Sequence, residues 1–332
     1  MPEKLKVVIT DYIEPKMDWE SEQFAQRGIE FTYHQLKHRP ESEVIEVTRD
    51  ADIIVVNMVV ITPTIMDGWE QCRLVIRHGA GYDNIDVDAL TERGILLEYV
   101  PDYCSHEVAE HAVALLFALG RKVMSSQRVL TDSIASGQWD FDPVRPMFRL
   151  DGATVGIVGC GRIGSLVYHK LEHFGMKFLI CDPYLPSERK AELGIDVVDM
   201  KTLMRESDFV TVHTPLNDET RHLINAETLA LMKPTAYLIN TSRGGMVDHE
   251  ALAKALKADR IAGAAVDVFE KEPPDADFPL IGLDNALITP HLSWYSEDAG
   301  WSIREKIVEA IDMFIAGTGP RIAVNAEALA KG

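Results

Sequence analysis

The sequence predicts an α/β protein of parallel sheets covered by helices, organised as two domains. Three observations predict it. Apolar runs alternate with helix-period segments along all 332 residues, the pattern of strands buried on both faces. A glycine-rich turn, Gly159-Cys160-Gly161-Arg162-Ile163-Gly164, lies between a strand-like and a helix-like run. From Ala153 onward six apolar runs recur at regular spacing, enough for a full dinucleotide-binding sheet. The length itself suggests about two domains.

The elements follow in order. Residues 5–10, 53–60 and 73–77 read as buried strands, and Gly79-Ala80-Gly81 breaks the third. Gly94-Ile95-Leu96-Leu97 starts another, which Val100-Pro101 stops. A long helix follows over about Ser105–Lys122, with Ser105 a fair N-cap. The stretch 131–150 carries Gly137, Pro143 and Pro146 and reads as a connecting loop around a short helix. The second half gives strands at 153–159, 177–182, 209–213, 236–240, 262–268 and 286–289, with a helix from Ile163 to Phe174. The tail 296–317 is one amphipathic helix.

Composition narrows the partners. An apolar fraction of 46% is enough to bury a core. A formal net charge of −19 would repel nucleic acid and anionic membrane alike. The four cysteines, Cys72, Cys104, Cys160 and Cys181, form no C-x-x-C pair and no metal cluster, so we expect no metal site and a reducing, cytoplasmic compartment. The N-terminus runs directly into Lys6-Val7-Val8-Ile9 without a basic and apolar leader, so no signal peptide is expected. No stretch approaches the 18 apolar residues of a membrane span.

The glycine turn has the context a bare G-x-G-x-x-G lacks. Thr154-Val155-Gly156-Ile157-Val158 precedes it, a helix follows, and Asp182 ends the next strand, at about the spacing that reads a ribose. Gly159 permits the tight turn, Gly161 lets backbone approach a pyrophosphate, and Gly164 lets helix and strand pack closely. The helix N-terminus then faces the anion with free N–H groups. Asp182 can accept from both adenosine ribose hydroxyls and would repel a 2′-phosphate, so the expected cofactor is NAD rather than NADP. Pro183-Tyr184-Leu185 brings no basic residue to reverse that. The alternative, a tight strand–helix turn that binds nothing, is disfavoured by this context.

Three later strands end in polar side chains: Asn240-Thr241-Ser242-Arg243, Asp267-Val268-Phe269-Glu270-Lys271-Glu272 and Thr289-Pro290-His291. Ligands of open α/β sheets bind outside the carboxyl ends of the strands. Arg243 can offer a fork of donors to the carboxylate and carbonyl of a 2-oxo acid. His291 can exchange a proton with the hydroxyl, and Glu272 can hold the imidazole in one tautomer and stabilise its charged form. Asp267, deeper on its strand, is expected to take the nicotinamide amide. Each residue alone reads more simply: a solvated arginine, a loop glutamate, a capping histidine. Together, downstream of a nucleotide turn, they read as catalytic.

These residues resemble a known family. Gly159–Gly164, Val210-Thr211-Val212-His213-Thr214-Pro215-Leu216 running to Thr220-Arg221-His222-Leu223-Ile224, Asn240–Gly244, Asp267–Pro273 and Thr289–His291 are similar, in series, to the D-isomer-specific 2-hydroxyacid dehydrogenases. The resemblance implies that Arg243, Glu272 and His291 are the catalytic set. It adds His213, Thr214, Pro215, Thr220, Thr241, Ser242, Arg243, Asp267 and His291 to Gly159, Gly161, Arg162, Ile163, Gly164 and Asp182 as cofactor contacts. It implies that the backbone of His78-Gly79-Ala80-Gly81 grips the substrate carboxylate. It further implies two Rossmann-like or flavodoxin-like domains with the active site in the cleft between them. The substrate domain is then discontinuous, 1–102 plus 296–332, and the NAD-binding domain spans 103–295. A homodimer contact through 105–122 and 131–150 is implied as well. Cys181-Asp182-Pro183-Tyr184-Leu185 and His291-Leu292-Ser293-Trp294-Tyr295 look like the C-terminal-binding-protein branch. A regulatory domain of the kind phosphoglycerate dehydrogenases often add is not expected after Gly332.

For the substrate, Trp294 is expected to wall one side of the acid's side chain and Asn57-Met58-Val59-Val60 the other, with Met58 a contact. Neither segment carries a cation for a phosphate, so an unphosphorylated acid with a small or apolar side chain is expected. The simpler alternative makes Met58, Val59 and Val60 plain strand core. The branch resemblance also raises a rival from another class, an NAD-sensing scaffold that binds peptide motifs, since one fold can carry either role.

Overall fold

A computed structural model of the chain describes residues 4–194 and 197–330. The chain divides into two compact units, one from residues up to 104 together with those from 296, the other spanning 105–295.

The first unit carries strands β1 (Lys6–Ile9), β2 (Glu30–Tyr33), β3 (Ile53–Val56), β4 (Leu74–Arg77) and β5 (Leu96–Tyr99). They pair in parallel in the order β2-β1-β3-β4-β5, with the order reversing between β1 and β3. Every residue of β3 and β4 is buried, which is why both read as continuous apolar runs. The helix Glu297–Ala316 belongs to this unit and buries Ile303, Ile307, Val308 and Ile311 against Val7, Ile9, Ile53 and Val55.

Two expectations need correction here. β2 adds a strand where the sequence reading places none, because Glu30-Phe31-Thr32-Tyr33 is a half-exposed edge strand without an apolar run. The strand read as 53–60 ends at Val56. Beyond it the amides of Asn57, Met58 and Val59 turn onto the Asp11 carboxylate at 3.3, 2.6 and 3.3 Å. The Asn84 amide holds the carbonyls of Asn57 and Val59. N–H groups turned onto one carboxylate are no longer available to a neighbouring strand.

The second unit carries β6 (Thr154–Val158), β7 (Lys177–Cys181), β8 (Phe209–Val212), β9 (Tyr237–Asn240), β10 (Gly263–Val266) and β11 (Ala286–Ile288). All are parallel, in the order β11-β10-β9-β8-β6-β7. A single parallel bridge, Ile180 to Val197, continues the sheet beyond β7. The order therefore reverses between β6 and β8, beside the glycine turn, where α/β sheets bind ligands. Separate apolar cores cover the two faces, one built around Leu203, Leu238 and Leu252, the other around Leu116, Val167 and Ile239. The helix Ser105–Gly120 packs on the helix Arg162–Leu171 and across β9 and β10.

The expected loop over 131–150 is partly helix. Val123–Ser136 is one helix, closed by Gly137 at a φ of +69°. The short helix is the 3-10 turn Asp142–Val144. Gly137, Pro143 and Pro146 do signal irregular chain, but only beyond the helix end. No residue of this helix is buried within its unit, so its apolar positions gave no core stripe to read.

Candidate active site

The glycine turn is built by close approach. Gly159 has φ +86°, and a Cβ there would meet Thr214 Cγ2 at 2.5 Å and the His213 carbonyl oxygen at 2.9 Å. A Cβ on Gly164 would lie 2.1 Å from the Gly159 carbonyl oxygen. Gly161 differs, since nothing lies within 4 Å of its Cβ position. That open space, at the N-cap of the helix Arg162–Leu171, is where backbone can approach an anion beside free amides. Asp182 stands at the end of β7. Its two oxygens accept from Cys160 N–H at 2.9 Å and Tyr184 N–H at 3.0 Å. A carboxylate has about four acceptor positions, so two remain for a pair of ribose hydroxyls.

Arg162 and Ile163 open the helix itself. His213, Thr214 and Pro215 follow β8, and the Thr220 hydroxyl donates to the Pro215 carbonyl at 2.7 Å, folding that loop back on itself. His213 accepts or donates to Thr211 Oγ1 through Nε2 at 2.9 Å, while its Nδ1 is buried with no protein partner. Burial holds this imidazole neutral, its pKa pushed down to about 3. Thr241 Oγ1 at the end of β9 is also buried without a protein partner. Two orphaned polar atoms at adjacent strand ends fit a bound polar ligand. With the open Gly161 position, they fit a dinucleotide.

The proton-transfer groups meet across three strand ends. Asn240 ends β9 by accepting from Ser242 N–H at 3.1 Å and donating to the Arg243 carbonyl at 2.9 Å, which orients Arg243. Gly244 is required next, because a Cβ there would lie 2.0 Å from the Phe269 carbonyl carbon. That close approach joins the end of β9 to the end of β10. Beyond β10, Glu272 accepts from Phe269 N–H at 3.1 Å with one oxygen and meets His291 Nδ1 at 2.7 Å with the other. Burial alone would raise the Glu272 pKa. The hydrogen bond and charge of His291, the Phe269 amide and the charge of Arg243 outweigh it and leave the carboxyl below its ordinary value. Glu272 is thus ionised, and His291 Nδ1 is committed to it, leaving Nε2 as the transferable position.

Asp267 is held mainly by its own strand-end neighbours. It is 0% exposed, and its carboxylate accepts from Leu292 N–H, Ser293 N–H and Thr289 Oγ1. One acceptor position at most is left for a nicotinamide amide. Trp294 is half-buried, with its ring 5.3 Å from that of Tyr295.

In the first unit, His78, Gly79, Ala80 and Gly81 follow β4. His78 is buried and its Nε2 meets Glu14 at 3.1 Å. Burial would raise the Glu14 carboxyl, yet the hydrogen bond and charge of His78 bring it down to about 2. Ala80 is exposed, and Met58 on the neighbouring turn is half-buried. The expectation that this turn lacks a cation needs qualifying. The Arg77 guanidinium is buried beneath it, bonded to Asn57 Oδ1 at 3.4 Å and to the His78 carbonyl.

Sequence reasoning gave no role to Asp11, Glu14 or Arg77, and named Asn240 only as a strand end. Arg77 closes a strand, and strand-end position would have found it. Asp11 and Glu14 act across long sequence separations that no local spacing encodes.

Comparison with known proteins agrees with this geometry. The NAD-binding domain model of the D-isomer-specific 2-hydroxyacid dehydrogenases matches residues 113–293. A D-3-phosphoglycerate dehydrogenase of Methanocaldococcus jannaschii is 39% identical over 86% of this chain, but only 54% of its own length. The chain thus spans about half of that relative. A glyoxylate reductase of Korarchaeum cryptofilum is also 39% identical, over 86% of both chains. Among solved structures, a D-lactate dehydrogenase of Aquifex aeolicus in complex with NAD and lactic acid superposes with a TM-score of 0.82. It is 30% identical and covers 94% of this chain and 96% of its own.

Proposed function

Because the chain belongs to the D-isomer-specific 2-hydroxyacid dehydrogenase family, we propose that it is an NAD-dependent oxidoreductase interconverting a 2-oxo acid and its 2-hydroxy acid. The observation that carries this reading is the 2.7 Å contact between His291 Nδ1 and the ionised Glu272, with Arg243 close enough for its charge to act on the same carboxyl. NADH, when bound, supplies the hydride. Arg243 orients the acid and polarises its carbonyl. His291 gives the Nε2 proton to the carbonyl oxygen in reduction and takes it back in oxidation. Glu272 stabilises the imidazolium whenever His291 carries the transferred proton.

The glycine turn and helix start hold the pyrophosphate, and Asp182 selects NAD over NADP through its two unused acceptor positions. His213, Thr214, Pro215, Thr220, Thr241 and Ser242 line the rest of the cofactor path. His78, Gly79, Ala80 and Gly81 take the substrate carboxylate through backbone amides, and Met58 and Trp294 contact its side chain. The substrate is a small unphosphorylated acid, a reading supported by the glyoxylate reductase relative, matched over most of both chains. The paired acid–base geometry favours an enzyme over a peptide-binding scaffold.

The test is NADH consumption by the purified protein with glyoxylate, hydroxypyruvate, pyruvate, phenylpyruvate and phosphohydroxypyruvate, repeated with NADPH. Rapid turnover of one unphosphorylated acid with NADH is the expected result. Preference for the phosphorylated acid would replace the small-acid reading and put Arg77 at its phosphate. Silence across the panel with NADH bound would turn the reading to the scaffold. In an active enzyme, Arg243→Ala is expected to lower kcat/KM about 10³-fold, by loss of carbonyl stabilisation, with NADH affinity unchanged within a few-fold. Full activity in that variant would remove Arg243 from the catalytic set.

A further inference from the structure

The backbone at His291 is left-handed, with φ 53°. That conformation is unfavourable for a residue with a β-carbon, so something must hold it. Asp267 does so with its carbonyl and both carboxylate oxygens. Its carbonyl accepts from His291 N–H at 2.7 Å. Its carboxylate accepts from Leu292 N–H and Ser293 N–H, each at 2.9 Å. Three successive amides therefore converge on one residue, as they do around a bound anion. Asp267 is 0% exposed, so these donors stand in for the water it has lost.

A second line of contacts reaches the same carboxylate from behind. Thr289 Oγ1 lies 2.5 Å from Asp267 Oδ1. A hydroxyl has a single proton, and this one is directed at the carboxylate. Oγ1 therefore presents a lone pair to His111 Nε2, 3.2 Å away, and Nε2 must carry a hydrogen. The same Nε2 lies 3.7 Å from Asp267 Oδ1. That is too long for a hydrogen bond, so Nε2 reaches the carboxylate only through the Thr289 hydroxyl.

We propose that His111, Thr289 and Asp267 form a positioning relay for His291. His111 fixes the Thr289 hydroxyl, Thr289 fixes the Asp267 carboxylate, and Asp267 fixes the backbone that carries the imidazole. His291 is then held twice, by Glu272 at its ring and by Asp267 at its main chain. None of the three touches the reacting atoms. The inference rests on the reading of His291 as the proton-transfer group.

The test compares Thr289→Val, which keeps the shape and removes the hydroxyl, with Thr289→Ser, which restores it. Thr289→Val is expected to lower kcat about 10- to 100-fold, the scale of a small misplacement of a catalytic group, with KM for NADH within twofold. Thr289→Ser is expected to recover most of the loss. A second readout needs no substrate: the imidazole C–H resonances of His291 by NMR in the free protein. They are expected to move in Thr289→Val and return in Thr289→Ser. If the wild-type protein reduces no acid, the oxidoreductase reading fails by itself and the resonances alone decide the relay. Unmoved resonances overturn the relay. So does equal damage in both variants together with lost NADH binding, which would make these contacts simply part of the fold.

Discussion

The Glu272 carboxylate holds a backbone amide with one oxygen and an imidazole with the other. Its depressed pKa is the energetic record of those contacts. The sign follows directly. A carboxyl whose folded pKa lies below its unfolded value stabilises the fold above the unfolded pKa and loses that contribution as pH falls through the folded one. Glu272→Gln keeps the shape and removes the charge that balances the imidazolium. We expect kcat to fall about 10²-fold, the usual worth of a general acid–base group, with NADH binding retained. Full activity would show that His291 needs only a neutral neighbour. At this scale the proposed catalytic residues stood out in the sequence, because Arg243, Glu272 and His291 each sit at a strand end. Their supports did not. Asn240 works through the turn that carries Arg243, and Glu14 reaches His78 across more than sixty residues. Side-chain pairs of that separation leave no periodicity to read.

Elements with buried faces could be placed from their pattern, and elements without them could not. The six strands of the second unit are apolar runs because both sheet faces are covered. β2 and the helix Val123–Ser136 are exposed and carry no such run. The tail after the helix Glu297–Ala316 shows the same limit. It lies along β5, with Val324 N–H on the Leu97 carbonyl at 2.8 Å and an antiparallel bridge from Ala323 to Glu98. Glu98 is 1% exposed; one oxygen accepts from Arg321 N–H at 3.1 Å and the other has no partner. Burial pushes its carboxyl up to about 7, against the lowering effect of the Arg321 and Ile322 amides and the Arg321 charge. A raised carboxyl favours the fold at low pH and costs stability as pH rises through that value. Glu98→Gln removes that cost, though its amide leaves a donor where the unpartnered oxygen stood. The variant is therefore expected to be about 1–2 kcal/mol more stable than wild type at pH 8, with the advantage gone near pH 4.5. Thermal unfolding at the two pH values measures it. A stability difference independent of pH would mean that the carboxyl ionises over the same range in the fold as in the unfolded chain.

For the whole molecule, local pattern says least. That both chain ends build one unit is a matter of topology, and no window of sequence encodes it. The segment 123–148 raises the next question, that of assembly. Among the described residues seventeen large apolar side chains are exposed, and seven of them fall in these few turns, including Ile134 at 74% and Trp139 at 83%. Val123, Leu130 and Ile134 lie on one face of a helix that buries nothing in its own unit. A concentrated apolar band of this kind marks an interface, and a second copy of the chain is the simplest partner, since a two-fold contact matches a surface to itself. The charge works against it, because two chains at −19 each repel. The two terms can be separated by salt. If apolar burial drives the dimer, screening should tighten it. Sedimentation at micromolar concentration is expected to give twice the chain mass of 37.1 kDa, with dissociation weaker in 0.5 M salt than at low salt. The double substitution Ile134→Glu with Trp139→Glu is expected to give monomers that retain NADH binding, since neither residue lies in the cofactor path. A wild-type monomer at every salt concentration would leave the band to some other partner, and a dimer that survives both glutamates would place the contact elsewhere on the chain.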